Sequence, residues 1–228
     1  MIKINKPAFT LSEALITLSI VGVLAALVLP GLVKNSINQA NIALLQSTVA
    51  NLNDAIQSEL IKNQITNIKD TTLYKDPRKF MRNSFDVSEE CQAAYDTPCS
   101  GAKYTNYNGT SGGIFHKVPT LLANGVAIDF LNDNPAPHIL VRIDLNGRQA
   151  PNVVGVDLFY LNIVGETDLK NSLQVGDVRG LLQDGINEVA STVTNKRLKQ
   201  LCVSGFGTPC YLLLERSGFD PKYLEKSY

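Results

Sequence analysis

The feature that most constrains the fold is a run of twenty residues without a charged side chain, from Ala14 to Val33. A helix of about 20 apolar residues is long enough to cross the hydrocarbon core of a bilayer. A carboxylate, Glu13, lies directly before this run, and a proline, Pro30, lies near its end. A simple membrane anchor needs neither residue, so we expect the segment to have a role besides anchoring.

The helical pattern continues beyond the apolar run with a different character. Apolar residues recur there at intervals of three or four, in one stripe along a helix. They are Leu45, Val49, Leu52, Ile56 and Leu60. The sequence therefore predicts one helix over residues 9–63, apolar on all sides in its first half and amphipathic in its second half.

Two lysines, Lys3 and Lys6, precede the run and favour a cytoplasmic location for this end of the chain. An ordinary secretory signal peptide, cleaved near Ala26, would begin in the same way. The mature chain would then start near Leu27, as a secreted soluble protein such as an adhesin. The length of the run, the position of Glu13 and the continuing helical pattern favour a membrane helix over this alternative.

The segment AFTLSEALITLSIVGVLAALVLP, from Ala8 to Pro30, resembles the N-terminal signature of type IV pilins and of the pseudopilins of type II secretion systems. The resemblance covers about the first fifty residues. It implies a structural subunit that a prepilin peptidase cleaves between Ala8 and Phe9, after which Phe9 is N-methylated. The family usually has glycine before the cut, so Ala8 departs from its pattern.

The resemblance also implies roles for two residues in filament assembly. The family's equivalent of Glu13 pairs with the new N-terminal amine of a neighbouring subunit, which compensates two charges that a filament core would desolvate. Pro30 lacks an N–H group and clashes with the carbonyl of Ala26, so the helix is expected to kink or open there. The implied partners are the peptidase, other pilin or pseudopilin subunits, an inner-membrane assembly platform and membrane lipid.

The implied fold is α+β and pilin-like, a long N-terminal helix packed on a small antiparallel sheet with irregular, disulfide-pinned loops. We expect a leader at 1–8, a transmembrane and filament-core segment at 9–35, and a globular domain at 36–228. The protein would cross the bacterial inner membrane once, with the globular domain outside the cytoplasm, and then join a type IV pilus or a secretion pseudopilus.

Three short segments rich in Val, Ile, Leu, Phe and Tyr are predicted to be the strands of an antiparallel meander: 125–131, 138–145 and 157–164. The region 64–120 is predicted to be irregular, apart from a short helix over 76–85. Nearer the end, 182–202 is predicted to be a helix with Ile186, Val189 and Val193 on one face. Segment 211–219 fits either a strand or a helix.

The four cysteines form two local pairs, Cys91 with Cys99 and Cys202 with Cys210. Seven residues separate the members of each pair, whereas zinc sites favour separations of about two to four. An even number of cysteines with short spacings favours disulfides in an oxidising compartment. Three pairings remain open, and the local one is favoured because its loops are short.

A polar segment separates the last two predicted strands, and four of its residues carry oxygen ligands: Asp144, Asn146, Asn152 and Asp157. Calcium binds about six to eight oxygens in loose geometry, so this loop could hold Ca²⁺. The alternative is a turn at Asn146-Gly147 in which the acids cap backbone groups. No other cofactor is indicated.

Charge and motifs point away from two other classes of protein. The 21 basic side chains balance the 21 acidic ones, so the composition gives no sign of a nucleic-acid-binding surface. The sequence contains no HExxH, P-loop or Rossmann motif, and its two histidines are isolated at 116 and 138. We therefore expect a protein that is not an enzyme.

Overall fold

The computed structural model describes residues 10–112, 117–132, 138–166, 174–180, 193–205 and 207–224. The chain divides into two compact units, Met1–Ala40 and Asn41–Tyr228. The first helix, α1, spans Leu11–Lys62 and so runs from the first unit into the second. The single long helix predicted from the hydrophobic pattern is confirmed, with ends within two residues of those predicted.

In the first unit, the large apolar side chains of α1 lie on its surface. Leu18 and Leu27, for example, are each 74% exposed. Within the part of the chain that the structure describes, α1 is the one helix long and apolar enough to cross a membrane, a criterion that a signal sequence would also meet. Pro30 lies inside α1, which continues on both sides of it.

The second unit contains a six-stranded antiparallel sheet in which the strands follow one another in chain order. The strands are β1 Val87–Glu90, β2 Thr120–Leu122, β3 Ala127–Leu131, β4 His138–Asp144, β5 Leu158–Val164 and β6 Val178–Arg179. The three predicted strands are confirmed as β3, β4 and β5. The other three, of two to four residues each, were not predicted because such short segments show no clear alternation.

The apolar stripe of α1 packs on one face of this sheet. Leu45, Leu52 and Ile56 are fully buried, and they share a hydrophobic cluster with alternate residues of the central strand β4, Val141 and Ile143. Burying a Leu or Ile side chain in this way stabilises a fold by about 1.5–3 kcal/mol. The predicted packing of the long helix on an antiparallel sheet is therefore confirmed.

Four shorter helices complete the second unit, together with 3₁₀ turns at Ile68–Asp70 and Pro221–Leu224. They are α2 Thr72–Lys75, α3 Pro77–Ser84, α4 Asn195–Val203 and α5 Gly207–Arg216. The short helix predicted over 76–85 is confirmed as α3. Asp76 caps it by accepting a hydrogen bond from the backbone N–H of Lys79 at 3.1 Å, and Pro77 occupies its first turn.

The C-terminal helices differ in part from the sequence prediction. Helix α4 begins only at Asn195, because the side chain of Thr194 caps it. Val193, expected on the apolar face of a longer helix, therefore precedes α4. Ile186 and Val189, expected on the same face, lie outside the described residues. The segment that fitted either a strand or a helix lies largely in α5.

Both disulfides join the local pairs, Cys91 with Cys99 and Cys202 with Cys210. Although they are far apart in the sequence, the two disulfides belong to one buried cluster that also includes Tyr104 and Leu158. This cluster is separate from the one formed by α1 and the sheet. The pairing that the sequence left open is thereby decided in favour of the short loops.

Candidate functional site

The N-terminal end of α1 is organised around Glu13. Its Oε2 accepts hydrogen bonds from the backbone N–H of Thr10 at 2.9 Å and from the hydroxyl of Thr10 at 2.7 Å. The backbone N–H of Glu13 in turn donates to Thr10 Oγ1 at 3.3 Å. This reciprocal arrangement is a capping box, which satisfies free N–H groups at a helix start. The carboxylate stays exposed, so a second partner can reach it.

Two hydroxyl groups on the apolar part of α1 bond within their own helix. Thr17 Oγ1 donates to the carbonyl of Glu13 at 2.9 Å, and Ser19 Oγ donates to the carbonyl of Leu15 at 2.8 Å. Bonds of this kind leave a hydroxyl with little need for an outside partner. Between Leu11 and Val33, Glu13 is the only residue with a charged side chain. The residues of the predicted cleavage junction, Ala8 and Phe9, lie outside the described residues.

The four oxygen-bearing residues between β4 and β5 come together in one compact turn. Asp144 ends β4 and Asp157 directly precedes β5, and both are fully buried. The carboxylate of Asp157 accepts hydrogen bonds from the backbone N–H groups of Asn152 at 2.7 Å and Val153 at 2.6 Å. Asp157 therefore fixes the backbone at Asn152 and Val153 close to the start of β5.

Asp144 has a partner that sequence reasoning missed. The hydroxyl of Tyr104 donates to Asp144 Oδ2 at 2.6 Å, and the backbone N–H of Asn146 donates to Oδ1 at 3.1 Å. Tyr104 lies forty residues earlier in the chain, in a region predicted to be irregular. No local pattern could have connected it with this turn.

Burial raises the pKa values of the acidic groups in this turn. Burial, together with the nearby carboxylate of Asp157, raises the pKa of Asp144 to about 8. Burial also raises the pKa of Asp157 and, with the charge of Asp144, that of the Tyr104 hydroxyl. Among the described residues, no lysine or arginine forms an ion pair with either aspartate. The two acids therefore favour holding a proton, or a cation, at neutral pH.

The fit to calcium is partial. Asn146 Oδ1 and Asn152 Oδ1 are buried and accept no hydrogen bond, which makes them available as ligands. The oxygens of Asp144 and Asp157, however, already accept bonds from protein donors. In the part of the chain that the structure describes, no group of three or more His, Cys, Asp or Glu could hold a metal. The observed bonds are those of the capping alternative, and calcium at this loop stays a prediction.

The disulfide cluster holds this turn closely. A Cβ atom on Gly155 would lie 2.7 Å from Cys210 Sγ, and one on Gly101 would lie 2.6 Å from the side chain of Asn152. Gly155 also has a φ of +84°, which favours glycine. The two disulfide-bonded segments thus pack against the loop between β4 and β5, and no pattern in the sequence connects them.

A second buried charge network lies in the sheet. Asp129 on β3 faces Arg142 on β4, and Arg142 Nε donates to Asp129 Oδ1 at 2.8 Å. Both side chains are 0% exposed. The backbone N–H of Lys117 donates to Asp129 Oδ2 at 3.1 Å, and the guanidinium lies 5.9 Å from the ring centre of Tyr160. The sequence did contain a signal for this pair. Asp129 lies within one predicted apolar strand and Arg142 lies within the next.

No protein-family model, curated protein or solved structure matches the chain. The resemblance to pilins therefore depends on the residues from Ala8 to Pro30.

Raising the pH is expected to destabilise the fold through Asp144. Its pKa is about 8 in the folded protein against an ordinary value of 3.8, so the folded state holds more protons than the unfolded state between these values. The free energy of unfolding should therefore be highest near pH 4 and fall as the pH rises towards about 8. Urea unfolding of the protein at about pH 5, 7 and 9 with a calcium chelator measures this slope.

Two variants and added calcium complete this test. Asp144→Asn should flatten the pH dependence, whereas Asp96→Asn, at a side chain that is 62% exposed, should leave it unchanged. A wild-type slope equal to that of Asp144→Asn would contradict the assignment. If the loop binds Ca²⁺, the cation replaces the proton and restores stability at high pH. No shift at any calcium concentration would contradict the calcium prediction alone.

Proposed function

We propose that the protein is a pilin or pseudopilin, a structural subunit of a type IV pilus or of a type II secretion pseudopilus. The first half of α1 anchors it in the bacterial inner membrane and later packs in the core of a helical filament. The observation that carries the proposal is Glu13, an exposed carboxylate at the start of an apolar helix. The layout of the second unit, a long helix on an antiparallel sheet, supports it.

The exposed surface of α1 needs an apolar environment. All thirteen Leu, Ile and Val side chains from Leu11 to Val33 are more than half exposed. A surface of this size is unfavourable in water, because apolar area gains free energy when it leaves the solvent. Lipid covers it in the stored subunit, and the same helix of neighbouring copies covers it after assembly.

Glu13 supplies the specificity that apolar packing lacks. One lipid-facing helix packs on another without a preferred register, whereas a buried carboxylate is strongly penalised unless a positive charge meets it. Cleavage between Ala8 and Phe9 creates such a charge, the amine of Phe9. Pairing of this amine with Glu13 of a neighbouring copy sets the axial position of each subunit.

The proposal assigns the chemistry of maturation to other proteins. A prepilin peptidase cuts the leader and methylates the new N-terminus, and an inner-membrane platform adds the subunit to the filament. This chain acts as their substrate and then as a building block. The disulfides stabilise the globular domain outside the cytoplasm, where an oxidising environment preserves them.

Mass spectrometry of the mature N-terminus, on protein from native membranes, tests the proposal. We expect a chain that begins at N-methylated Phe9, because cleavage there removes the leader and leaves the apolar helix in place. A chain that begins near Leu27 would instead identify a secretory signal peptide. The roles proposed for Glu13 and Pro30 would then be wrong, since Glu13 would be absent from the mature protein.

A further inference from the structure

The turn formed by residues 106–111 carries a triplet that the proposed function does not use. Asn108-Gly109-Thr110 is the single Asn-x-Ser/Thr sequence in the chain. All three residues are exposed, and a bridge between Thr105 and Ser111 closes the base of the turn. Triplets of this kind on surface loops of secreted proteins are acceptors for asparagine-linked sugars.

We propose that Asn108 is an N-glycosylation site, which receives a sugar chain from a lipid-linked donor through a membrane-bound transferase. Two hydrogen bonds prepare its side chain for this reaction. The hydroxyl of Thr110 donates to Asn108 Oδ1 at 2.6 Å, and the backbone N–H of Thr110 donates to the same oxygen at 3.0 Å. Both bonds fix the orientation of the amide and make its N–H groups more acidic, and the first of them requires a hydroxyl at the third position of the triplet.

A third side chain directs this hydroxyl. Asn106 Nδ2 donates to Thr110 Oγ1 at 3.1 Å. Because that bond occupies a lone pair of the oxygen, the hydroxyl hydrogen of Thr110 points to Asn108 Oδ1 rather than to Asn106 Nδ2. The turn therefore holds the acceptor amide and its activating hydroxyl together before any enzyme binds.

The tip of the turn has room for a large substituent. Gly109 has a φ of +85°, and a Cβ atom built on it would meet no atom within 4 Å. Its backbone N–H donates to the carbonyl of Asn106 at 2.9 Å, which closes the turn beneath the exposed side chain of Asn108. A sugar on Asn108 Nδ2 would therefore extend into solvent without displacing the fold.

The compartment is also suitable. The disulfide between Cys91 and Cys99 lies shortly before this turn in the chain, and disulfides persist outside the cytoplasm. Transfer of sugar chains from lipid carriers to asparagine takes place on that side of a membrane. The acceptor and the proposed donor thus meet in one compartment.

The proposed step balances without a redox partner. The amide nitrogen of Asn108 attacks the anomeric carbon of the sugar, and a C–N bond forms as the C–O bond to the lipid pyrophosphate breaks. The pyrophosphate leaves with the electron pair, and the amide proton passes to a base on the transferase. The co-reactant is thus a polyisoprenyl-pyrophosphate sugar.

The chain contains a matched control at Asn124-Gly125-Val126. Asn124 is exposed and its Oδ1 accepts a hydrogen bond from the backbone N–H of Val126 at 3.1 Å, as Asn108 does from Thr110. This second turn lacks the hydroxyl. Glycosylation should therefore occur at Asn108 and not at Asn124, whereas spontaneous deamidation, which also favours exposed Asn-Gly pairs, would affect both.

Peptide mass spectrometry on the protein from its native cells tests the proposal. Trypsin releases residues 104–117 and 118–142 as separate peptides. We expect the first to be heavier by the mass of one or more sugars, localised to Asn108 by fragmentation, and the second to be unmodified. Thr110→Ser should retain the modification, and Thr110→Val should abolish it while both disulfides still form. An unmodified Asn108 in the native protein, or deamidation alone at both asparagines, would overturn the proposal.

Discussion

Replacing Glu13 with glutamine is expected to abolish filament assembly while the protein still inserts into the membrane and is still cleaved. In the proposed filament, the amine of Phe9 in one copy meets the carboxylate of Glu13 in another. Glutamine keeps the shape and removes the charge, so the amine is left buried without its counter-charge, which is strongly destabilising. Each subunit contact would then weaken by on the order of 10²–10³-fold or more.

The measurement is the amount of variant protein in purified filaments relative to that in the membrane. Ser19→Ala is the matched control, because it removes a polar group from the same apolar helix. The hydroxyl of Ser19 bonds to the carbonyl of Leu15 within its own helix, so this variant should assemble normally. Incorporation of Glu13→Gln at the wild-type level, with its N-terminus correctly processed, would contradict the pairing.

The second large effect is expected at the buried ion pair of the sheet. Asp129→Asn keeps the volume of the side chain but removes the carboxylate that pairs with the guanidinium of Arg142 in a fully buried position. Breaking a buried pair from one side costs about 3–5 kcal/mol. That is a large part of the stability of an ordinary domain, and urea unfolding of the purified protein should show it directly.

An exposed pair in the same protein provides the control. Arg148 and Asp96 lie 2.9 Å apart, each with a side chain that is 62% exposed, and pairs of this kind contribute about 0–1 kcal/mol. Asp96→Asn should therefore change stability little. The double variant Asp129→Leu with Arg142→Met should recover most of the lost stability, because neither charge of this pair remains. If Asp129→Asn costs no more than Asp96→Asn, the buried pair does not stabilise the fold.

Several elements could be predicted because local patterns specify them. The spacing of Leu45, Leu52 and Ile56 marks one face of a helix whatever lies opposite it. The short runs rich in Val, Ile, Leu, Phe and Tyr likewise mark β3, β4 and β5, which are buried at nearly every position. Asp76 followed by Pro77 marks the start of α3 through its own capping bonds. In each case the physical cause lies within a few residues of the element.

The short edge strands could not be predicted, because their stability comes from their neighbours. β6 has two residues, pairs with β5, and gains a further bond from the backbone N–H of Val178 to Asn53 Oδ1 on α1 at 3.3 Å. β1 contains two glutamates and forms a strand by pairing with β2. No intrinsic preference of these segments for extended structure would have identified them.

The sequence alone therefore determined the long helix, its apolar and amphipathic halves, the central strands and the grouping of Asp144 with Asp157. Only the tertiary structure decided the disulfide pairing, the contact of Tyr104 with Asp144, and the pairing of Asp129 with Arg142. These features join segments that are distant in the chain, or they require a particular strand register. Hydrophobic packing brings such segments together, and buried polar groups then take whichever partners that packing places within reach.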